Sequence, residues 1–357
     1  MRIGFDARLW HHTGIGRYLH NLLAELADAD WTIWVAPADV AAARAAWPAA
    51  RIEPCPAPVF SLREQIFWAR TLPKAGLDLF HAPHLNIPLA CPVPLVVTLH
   101  DLIPLRFPGT HNSGLGTLYF GLMARLAVRR ARRVIAVSEH TRKDLVALLQ
   151  ADPARIDVVL QGADLRFAAP QPRRERGRYV LYAGQWKRYK NVETLITAFA
   201  RLPADVRLVL AGRVDPHAVH VPALIQRLGL APRIELPGYL PEADLVALFQ
   251  GASLFAFPSR YEGFGLPPLE AMAAGVPVVC SDAASLPEVV GDAAVKVAPD
   301  DVDGWARAMQ AVLDEPALRD RLVQAGHARV AALPWSLTAR RTAEVYRSAL
   351  VELRGVT

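Results

Sequence analysis

The stretch that decides the fold is residues 258–282, PSRYEGFGLPPLEAMAAGVPVVCSD. An apolar segment with the pattern of a buried strand, residues 253–257, leads into it, and a second such segment, residues 276–280, closes it. Between them lie a loop broken by glycine and proline and a short helical segment that carries Glu270. A strand–loop–helix–strand unit places its loop at the carboxyl edge of a parallel sheet, where α/β proteins bind ligands. The stretch therefore predicts an α/β fold with a ligand site at this loop.

The residue types of the loop indicate which ligand it takes. Glycine lets an anion approach backbone amides that lack intrahelical partners. The loop amides in question belong to Gly263, Phe264, Gly265 and Leu266. Two carboxylates, Glu262 and Glu270, flank the loop, and a carboxylate accepts hydrogen bonds from hydroxyl groups. A phosphate site beside a hydroxyl site predicts a nucleotide sugar. The alternative is an ordinary turn with two surface glutamates, since charged side chains are mostly exposed.

Length and composition narrow the class of protein. The 357 residues fit two domains of average size, and 52% apolar with 21% charged residues is typical of a globular chain. The sequence has no apolar run of transmembrane length, an early acid at position 6 argues against a signal peptide, and three scattered cysteines argue against a disulfide framework. We therefore expect a cytoplasmic protein. The net charge of +6 fits nucleic acid, anionic lipid or a diphosphate without choosing among them.

A cationic loop opens the second half of the chain. A polar stretch rich in proline and arginine, residues 168–178, predicts a domain linker before it. A strand that ends at Gly184 then runs into the segment QWKRYKN, residues 185–191, and a helix. A cation beside a helix N-terminus suits a diphosphate, so Lys190 is a predicted diphosphate ligand and Arg188 a secondary one. The alternative is a solvated lysine.

A glycine-rich segment also follows the first strand of the chain. Gly14 and Gly16 precede a helical pattern, and such a segment indicates close approach of a phosphate, which makes Gly16 a candidate site residue. The segment is not a dinucleotide fingerprint, because Leu19 stands where the third glycine belongs. A nicotinamide-dependent enzyme is therefore disfavoured.

Histidines stand at the ends of two predicted strands of the first half. His100 ends the predicted strand at residues 94–100, and a histidine at the carboxyl end of a parallel strand points into the ligand crevice, where it can donate to a hydroxyl or a phosphate. A satisfied structural histidine is the alternative. His81 and His84 end another strand and are predicted to line an acceptor cleft. Asp101 is predicted to orient a loop or to contact the acceptor.

A helical pattern at residues 112–133 ends in a cluster of basic residues. These are Arg125, Arg129, Arg130, Arg132 and Arg133. An apolar cluster at residues 118–123 precedes them, and together they predict peripheral contact with an anionic membrane, to which each basic residue adds about 1 kcal/mol. A solvated charged face and a helix packed in a core are the alternatives.

Residues 262–279, E-G-F-G-L-P-x-L-E-A-M-A-x-G-x-P-V-V, resemble the sugar-nucleotide motif of the retaining glycosyltransferase family 4. Further matching segments are D-A-R at residue 6, G-I-G-R-Y at residue 14, H-D-L-I-P at residue 100 and K-N at residue 190, so the resemblance spans nearly the whole chain. Gln185 departs from the pattern, which often has arginine there. The resemblance implies the GT-B architecture, an α/β fold in which two Rossmann-like domains face each other across a cleft.

The resemblance also implies a division of labour along the chain. Residues 1–170 would form an acceptor-binding domain and residues 171–334 a domain that binds the nucleotide sugar. Residues 335–357 would form a helix that crosses back onto the first domain.

The same resemblance implies a metal-independent, retaining hexosyltransferase with no cofactor beyond its nucleotide-sugar co-substrate. Glu270 would hold the ribose hydroxyls, Glu262 the sugar hydroxyls, and His100 would face the transferred sugar. Tyr239 would lie beside the nucleobase of the nucleotide sugar. The groups around the diphosphate would be Gly16, Gly184, Arg188, Lys190 and the loop at residues 263–266. Lys190 and helix N-termini can stabilise a leaving diphosphate in place of Mg²⁺.

The N-terminal segments and the H-D-L-I-P segment look like those of bacterial mannosyltransferases of polysaccharide assembly. This favours GDP-mannose as donor and a glycan or polyprenyl-diphosphate-linked acceptor. UDP-sugars and dTDP-rhamnose stay open as donors, as does a non-catalytic subunit that binds a sugar nucleotide. Nucleic acid is not an expected partner, because no basic patch is interleaved with aromatic residues. The expected location is the cytoplasm, with peripheral contact at the inner face of the membrane.

Overall fold

The computed structural model describes residues 1–26, 29–109, 114–169, 177–213 and 220–351, and it divides the chain into two compact units. Unit 1 comprises Met1–Gly162 together with the last helix, and unit 2 comprises Ala163–Pro334. The first division falls between Gly162 and Ala163. Most of the predicted linker at residues 168–178, namely residues 170–176, lies outside the described residues.

Unit 1 is built on a seven-stranded sheet in which all neighbouring strands are parallel, in the order β3-β2-β1-β4-β5-β6-β7. The strands are β1 (Arg2–Asp6), β2 (Asp30–Val35), β3 (Arg51–Pro54), β4 (Leu79–Ala82), β5 (Leu95–Leu99), β6 (Arg133–Ala136) and β7 (Ile156–Val158). The helices of the described part are α1 (Thr13–Glu25), α2 (Val40–Ala46), α3 (Leu62–Thr71), α4 (Ile103–Arg106), α5 (Gly114–Arg130), α6 (Glu139–Leu149) and the last helix, α14 (Trp335–Val351).

Helices cover both faces of the sheet of unit 1. One apolar cluster joins α1 and α14 to one face through residues such as Leu22, Tyr346 and Phe5. The other cluster joins α3, α5 and α6 to the opposite face through residues such as Trp68 and Phe80. Strands buried on both faces are nearly continuous apolar runs, which is why β4 and β5 are buried along their whole length.

Unit 2 repeats the architecture with a six-stranded parallel sheet in the order β10-β9-β8-β11-β12-β13. The strands are β8 (Tyr179–Ala183), β9 (Arg207–Ala211), β10 (Ile234–Gly238), β11 (Leu254–Phe257), β12 (Val278–Ser281) and β13 (Ala294–Val297). The helices of the described part are α7 (Val192–Phe199), α8 (His220–Arg227), α9 (Glu242–Gly251), α10 (Leu266–Ala273), α11 (Leu286–Val290), α12 (Val302–Asp314) and α13 (Pro316–Ala332).

The strand order positions a ligand crevice in each unit. It reverses direction between β1 and β4 in unit 1 and between β8 and β11 in unit 2, and α/β sheets bind ligands at the carboxyl edge of such a switch point. In unit 2 the loops that follow β8 and β11 carry Lys190 and Glu262. The prediction of an α/β chain with two Rossmann-like units is confirmed. None of the described helices is long and apolar enough to cross a membrane.

The basic cluster is distributed differently from the prediction. Helix α5 ends at Arg130, and Arg133 begins β6 instead of lying on the helix. The Arg133 guanidinium donates to both carboxylate oxygens of Asp157, at 2.8 and 2.6 Å. The Arg130 guanidinium donates to the Leu89 carbonyl at 2.8 Å. Arg133 is therefore engaged in joining β6 to β7, and the predicted helix at residues 112–133 was too long at this end.

Candidate functional site

The sheet edge of unit 2 brings two oppositely charged side chains together. Lys190 Nζ lies 2.6 Å from Glu262 Oε1, although the residues are 72 positions apart. Both side chains are largely buried, with 14% of Lys190 and 10% of Glu262 exposed. The Lys190 ammonium also lies 5.3 Å from the centroid of the Phe257 ring and 5.4 Å from that of Tyr189. Because the pair lies largely out of water, each charge interacts more strongly with a ligand than a solvated charge does.

Backbone contacts hold the two loops of this edge in register. Asn191 is fully buried in the left-handed conformation, with φ at +58°. Its side-chain amide donates to the Pro258 carbonyl at 3.2 Å and to the Pro299 carbonyl at 2.7 Å. The Arg260 amide donates to the Tyr189 carbonyl at 2.7 Å. These bonds fix Lys190 opposite Glu262 rather than leaving it on a mobile surface turn.

The loop between Glu262 and α10 has the geometry of an anion site. Gly265 has φ at +109°, and a Cβ there would lie 2.6 Å from Leu286 Cδ2, so the position requires glycine. The Ser285 hydroxyl lies 3.0 Å from the Glu262 carbonyl oxygen and 2.6 Å from that of Phe264. These contacts hold the backbone of the loop in place just before α10. Leu266 is the last amide donor of this end, because two prolines follow it. Helix N-termini of this kind favour anions.

Glu270 lies on α10, one turn beyond this anion site. Its side chain is buried, with 3% of the residue exposed. A carboxylate accepts hydrogen bonds, and hydroxyl groups of a ligand are suitable donors. The structure therefore places the two predicted carboxylates and the predicted amides on one continuous segment of the sheet edge.

Glycines stand at the ends of three neighbouring strands: Gly184 follows β8, Gly212 follows β9 and Gly238 ends β10. The Gly184 amide donates to the Ala211 carbonyl at 3.0 Å, and the Gly212 amide donates to the Gly238 carbonyl at 2.9 Å. A Cβ on Gly212 would lie 2.0 Å from the Gly184 carbonyl oxygen, so the two turns pack in direct backbone contact. The missing side chain of Gly212 thus lets the Gly184 backbone pack against it at this edge.

Two further predicted residues of unit 2 lie on its surface. Tyr239 is 63% exposed, and the Arg213 guanidinium carbon lies 4.9 Å from the centroid of its ring. An exposed aromatic ring held against a guanidinium offers a flat face to a planar base. Arg188 is exposed on the same turn as Lys190, and its carbonyl accepts from Arg260 Nη1 at 3.2 Å.

His100 lies one residue past the end of β5 in unit 1. Its Nε2 lies 3.0 Å from the Pro83 carbonyl oxygen, which makes Nε2 the protonated nitrogen, and Gln161 Nε2 lies 3.4 Å from Nδ1. Burial lowers the pKa of His100 to about 4, partly offset by the hydrogen bond to Pro83, so the ring is neutral near pH 7. A neutral ring of this tautomer accepts at Nδ1. Because Pro83 accepts from Nε2 and the Gln161 amide donates to Nδ1, a ligand hydroxyl can donate to His100 only in place of Gln161.

His84 and Gln161 are further polar groups beside His100. Burial, with a smaller effect of the nearby His100, lowers the pKa of His84 to about 3. His84 Nδ1 and Gln161 Oε1 are both buried, and neither atom has a hydrogen-bond partner in the part of the chain that the structure describes. Gln161 was not found from the sequence, because a glutamine in a loop gives no signal there. Buried polar atoms of this kind suit a ligand rich in hydroxyl groups.

His81 has a structural position that contradicts its predicted role in acceptor binding. It is fully buried inside β4, with Nδ1 2.7 Å from the Tyr346 hydroxyl and Nε2 2.8 Å from the Thr98 hydroxyl. Burial lowers its pKa to about 3. Both ring nitrogens are thus engaged, and the side chain has no surface that a ligand can contact. His81 joins β4 to β5 and α14.

Gly16 also differs from its predicted role. It lies inside α1, where its amide donates to the His12 carbonyl at 2.6 Å. A Cβ on Gly16 would lie 2.1 Å from the Trp10 carbonyl oxygen, so glycine is required for close packing. The amide is committed to the helix and does not fit a diphosphate ligand. Asp101 accepts from the Ile103 amide at 2.9 Å at the start of α4, in agreement with the predicted orientation of a loop.

Unit 1 also contains a buried polar network that was not predicted from the sequence. The Arg8 guanidinium donates to Asp6 at 2.6 Å and to Glu64, which also accepts from the Asn86 amide at 2.6 Å and from the Phe60 backbone at 2.9 Å. Arg8 belongs to the D-A-R segment, but Glu64 lies 56 positions away, so spacing gives no sign of the pair. The network holds Phe60 at φ +64°, a strained conformation for this residue. Among the described residues no group of three or more histidine, cysteine or acidic side chains is arranged to hold a metal ion.

Comparison with known proteins agrees with this geometry. The family model described as Glycosyltransferase Family 4 matches residues 12–167, and the one described as Glycosyl transferases group 1 matches residues 166–329. O-antigen chain mannosyltransferase B of Escherichia coli is 30% identical over 292 residues, which are 75% of this chain and 74% of that protein. MMP α-(1→4)-mannosyltransferase of Mycolicibacterium hassiacum is 30% identical over 78% of this chain and 69% of its own length.

The solved structures give the same fold. HepE of Anabaena, in complex with UDP and glucose, matches 98% of this chain and all of its own with a TM-score of 0.80 at 21% identity. The architecture is therefore that of the GT-B glycosyltransferases. The chain belongs to the glycosyltransferase family that the family 4 and group 1 models describe.

Proposed function

We propose that this protein transfers a mannosyl group from GDP-mannose to a glycan or a lipid-linked saccharide, with retention of anomeric configuration and without a metal ion. The observation that carries the proposal is the Lys190–Glu262 pair, 2.6 Å apart, beside the N-terminus of α10. It combines a cation for a diphosphate with a carboxylate for sugar hydroxyls at one sheet edge.

Each part of a nucleotide sugar has a candidate partner in unit 2. Glu270 binds the ribose hydroxyls, Glu262 the hydroxyls of the sugar, and the exposed ring of Tyr239 the base. The diphosphate lies at the start of α10. Its partners in the proposal are Gly184, Arg188, Lys190, Gly263, Phe264, Gly265 and Leu266.

Lys190 supplies the chemistry that the reaction needs at the donor. When the sugar–phosphate bond breaks, negative charge grows on the departing diphosphate, and a fixed cation stabilises that charge without a proton or a metal. Two ring faces and Glu262 already hold the ammonium in place, so little reorganisation is needed during the reaction. This is the argument for metal independence.

Unit 1 supplies the acceptor side in the proposal. A substrate hydroxyl replaces the Gln161 amide as the hydrogen-bond donor to His100 Nδ1. His84 binds an acceptor hydroxyl through its buried Nδ1. Asp101 shapes the loop at the start of α4.

Relatives support mannose as the transferred sugar. Both relatives described above carry the name mannosyltransferase, and each is 30% identical to this chain. UDP-glucose is the second candidate donor, because the HepE structure holds UDP and glucose on the same fold.

The test is turnover across a panel of nucleotide sugars. The full chain is incubated separately with GDP-mannose, UDP-glucose, UDP-N-acetylglucosamine and dTDP-rhamnose, and release of the nucleoside diphosphate is followed with and without saccharide acceptors. We expect GDP-mannose to be the fastest donor, excess EDTA to leave its rate unchanged, and proton NMR of the product to show an α-linkage. Loss of activity in EDTA that Mg²⁺ or Mn²⁺ restores contradicts metal independence, and faster turnover of UDP-glucose contradicts the donor.

A further inference from the structure

Unit 1 exposes an unusual concentration of apolar side chains at the start of α3 and along α5. Among the described residues twelve large hydrophobic side chains are exposed, and seven of them lie in the segments 60–66 and 115–122. The Phe60 ring contacts the Tyr119 ring edge-on, with centroids 6.2 Å apart, and this contact joins the two segments. We call the exposed residues of 60–66 and 115–129 the α3–α5 surface. An exposed apolar patch of this kind marks an interaction site.

The outer face of α5 is apolar even though its inner face already fills the core. Met123, Ala124, Ala127 and Val128 are buried against the sheet. Leu115, Leu118 and Leu122 recur three and four positions apart on the other face and are 77, 68 and 54% exposed. Packing of the core therefore accounts for one face of α5 and not for the leucines on the other.

The same outer face turns basic at its carboxyl end. Arg125 and Arg129 continue the spacing of Leu118 and Leu122 and are both exposed. Among the described residues of α3 and α5 there are five arginines and one carboxylate, that of Glu64. Glu64 is fully buried and paired with Arg8, so these helices present positive charge without an exposed acid. By contrast, α13 mixes exposed Asp320 and Arg321.

We propose that the α3–α5 surface docks on an anionic lipid bilayer. The leucines and Phe60 insert at the interface between headgroups and acyl chains, and Arg125 and Arg129 contact the anionic headgroups. A two-fold pairing with a second copy of this chain fits less well, because it would bring the arginines of two identical surfaces together. The inference is independent of the donor assignment, since vesicle binding needs no turnover.

The position of the surface gives the docking a function. The Phe60 ring lies 5.6 Å, centroid to centroid, from the ring of His84, which we assign to the acceptor. The buried Arg8–Glu64 network holds the Phe60 backbone in its strained conformation. A bilayer on the α3–α5 surface thus lies next to the acceptor residues, where a lipid-linked saccharide would arrive.

Vesicle co-sedimentation of the full chain tests the proposal. The vesicles contain phosphatidylcholine alone or phosphatidylcholine mixed with phosphatidylglycerol. We expect binding to the mixed vesicles that weakens with added salt. The double variant Arg125→Ser/Arg129→Ser should bind mixed vesicles roughly thirtyfold more weakly. Leu118→Ser/Leu122→Ser should lose about tenfold or more on both kinds of vesicle.

The matched control is Arg340→Ser/Arg341→Ser, which removes the same charge from exposed positions on α14, at the opposite face of the sheet. This control should bind mixed vesicles nearly as tightly as the wild type, with only the small loss that follows from its lower net charge. Equal binding of wild type to neutral and mixed vesicles overturns the proposal, as does an equal loss in the Arg125/Arg129 variant and the control. A dimer in sedimentation velocity that Leu118→Ser/Leu122→Ser abolishes assigns the surface to a second copy and also overturns it.

Discussion

The carboxyl edges of the two sheets occupy the same topological position and use their residues differently. In unit 2 the charged candidate residues Lys190 and Glu262 stand in loops beyond the strand ends, and their side chains meet there. In unit 1 three histidines stand near strand ends, but His81 lies inside β4, whereas His84 and His100 follow β4 and β5. A shift of one or two residues along the chain therefore decides whether a histidine lies in the core or at the sheet edge. A side chain within the strand stays in the layered core, and one just past it reaches the edge.

Removal of Lys190 should have the largest effect on activity. We expect Lys190→Ala to lower kcat roughly 10²–10³-fold, as the loss of one preorganised charge-stabilising group does, with a smaller change in the KM of the donor. Steady-state kinetics measures the effect.

Two further variants separate catalysis from folding. Lys296→Ala removes a lysine of β13 that donates to the Gly291 carbonyl, and it should keep kcat. Lys190→Ala/Glu262→Gln avoids an uncompensated buried carboxylate and should be folded yet inactive. If Lys190→Ala has the kcat of the wild type, Lys190 does not stabilise the leaving diphosphate.

Glu270 should affect binding more than turnover. A carboxylate that accepts hydrogen bonds from hydroxyl groups is worth about 1.5–3 kcal/mol, so Glu270→Gln should raise the KM of the donor roughly ten- to hundredfold. The KM of a saccharide acceptor should stay constant. If only the acceptor KM increased, the assignment of Glu270 to the donor site would be wrong.

Substitutions of the two histidines near the end of β4 should have different effects, one on stability and the other on activity. His81→Leu leaves the buried Tyr346 hydroxyl without its histidine partner and should lower the free energy of unfolding by about 2 kcal/mol. His84→Ala should instead raise the KM of the acceptor several-fold. Urea unfolding and acceptor kinetics measure both variants, and the reverse assignment of effects would contradict the proposed division.

The pH dependence of stability should report the same buried histidine. Because the pKa of His81 in the folded protein, about 3, is below its ordinary value of about 6.5, the unfolded chain binds more protons at intermediate pH. Its contribution is complete above about pH 6.5 and is lost as the pH falls towards the folded pKa. Between about pH 5 and pH 6, His81→Leu should lower the slope of unfolding free energy against pH by about 1.2 kcal/mol per pH unit. An unchanged slope would contradict the burial of a neutral ring.

The fold and the charged sheet edge of unit 2 were largely predictable because their signals are local. Residues 258–270 carry the loop, the helix start and both glutamates in one segment, and Lys190 follows a strand in the same way. What the sequence did not reveal depends on contacts between distant positions. The pairing of Arg8 with Glu64, the close approach of Trp10 to Gly16, and the engagement of Arg133 by Asp157 are fixed by packing, which residue spacing does not encode.

The central claim is that the nucleotide sugar binds at the carboxyl edge of β8 and β11 in unit 2. Hydrogen–deuterium exchange of the full chain, measured with and without saturating GDP-mannose or GDP, tests it most directly. We expect both ligands to slow exchange in peptides that contain residues 184–191 and 258–270. Unchanged exchange in these peptides, with protection confined to unit 1, would contradict it.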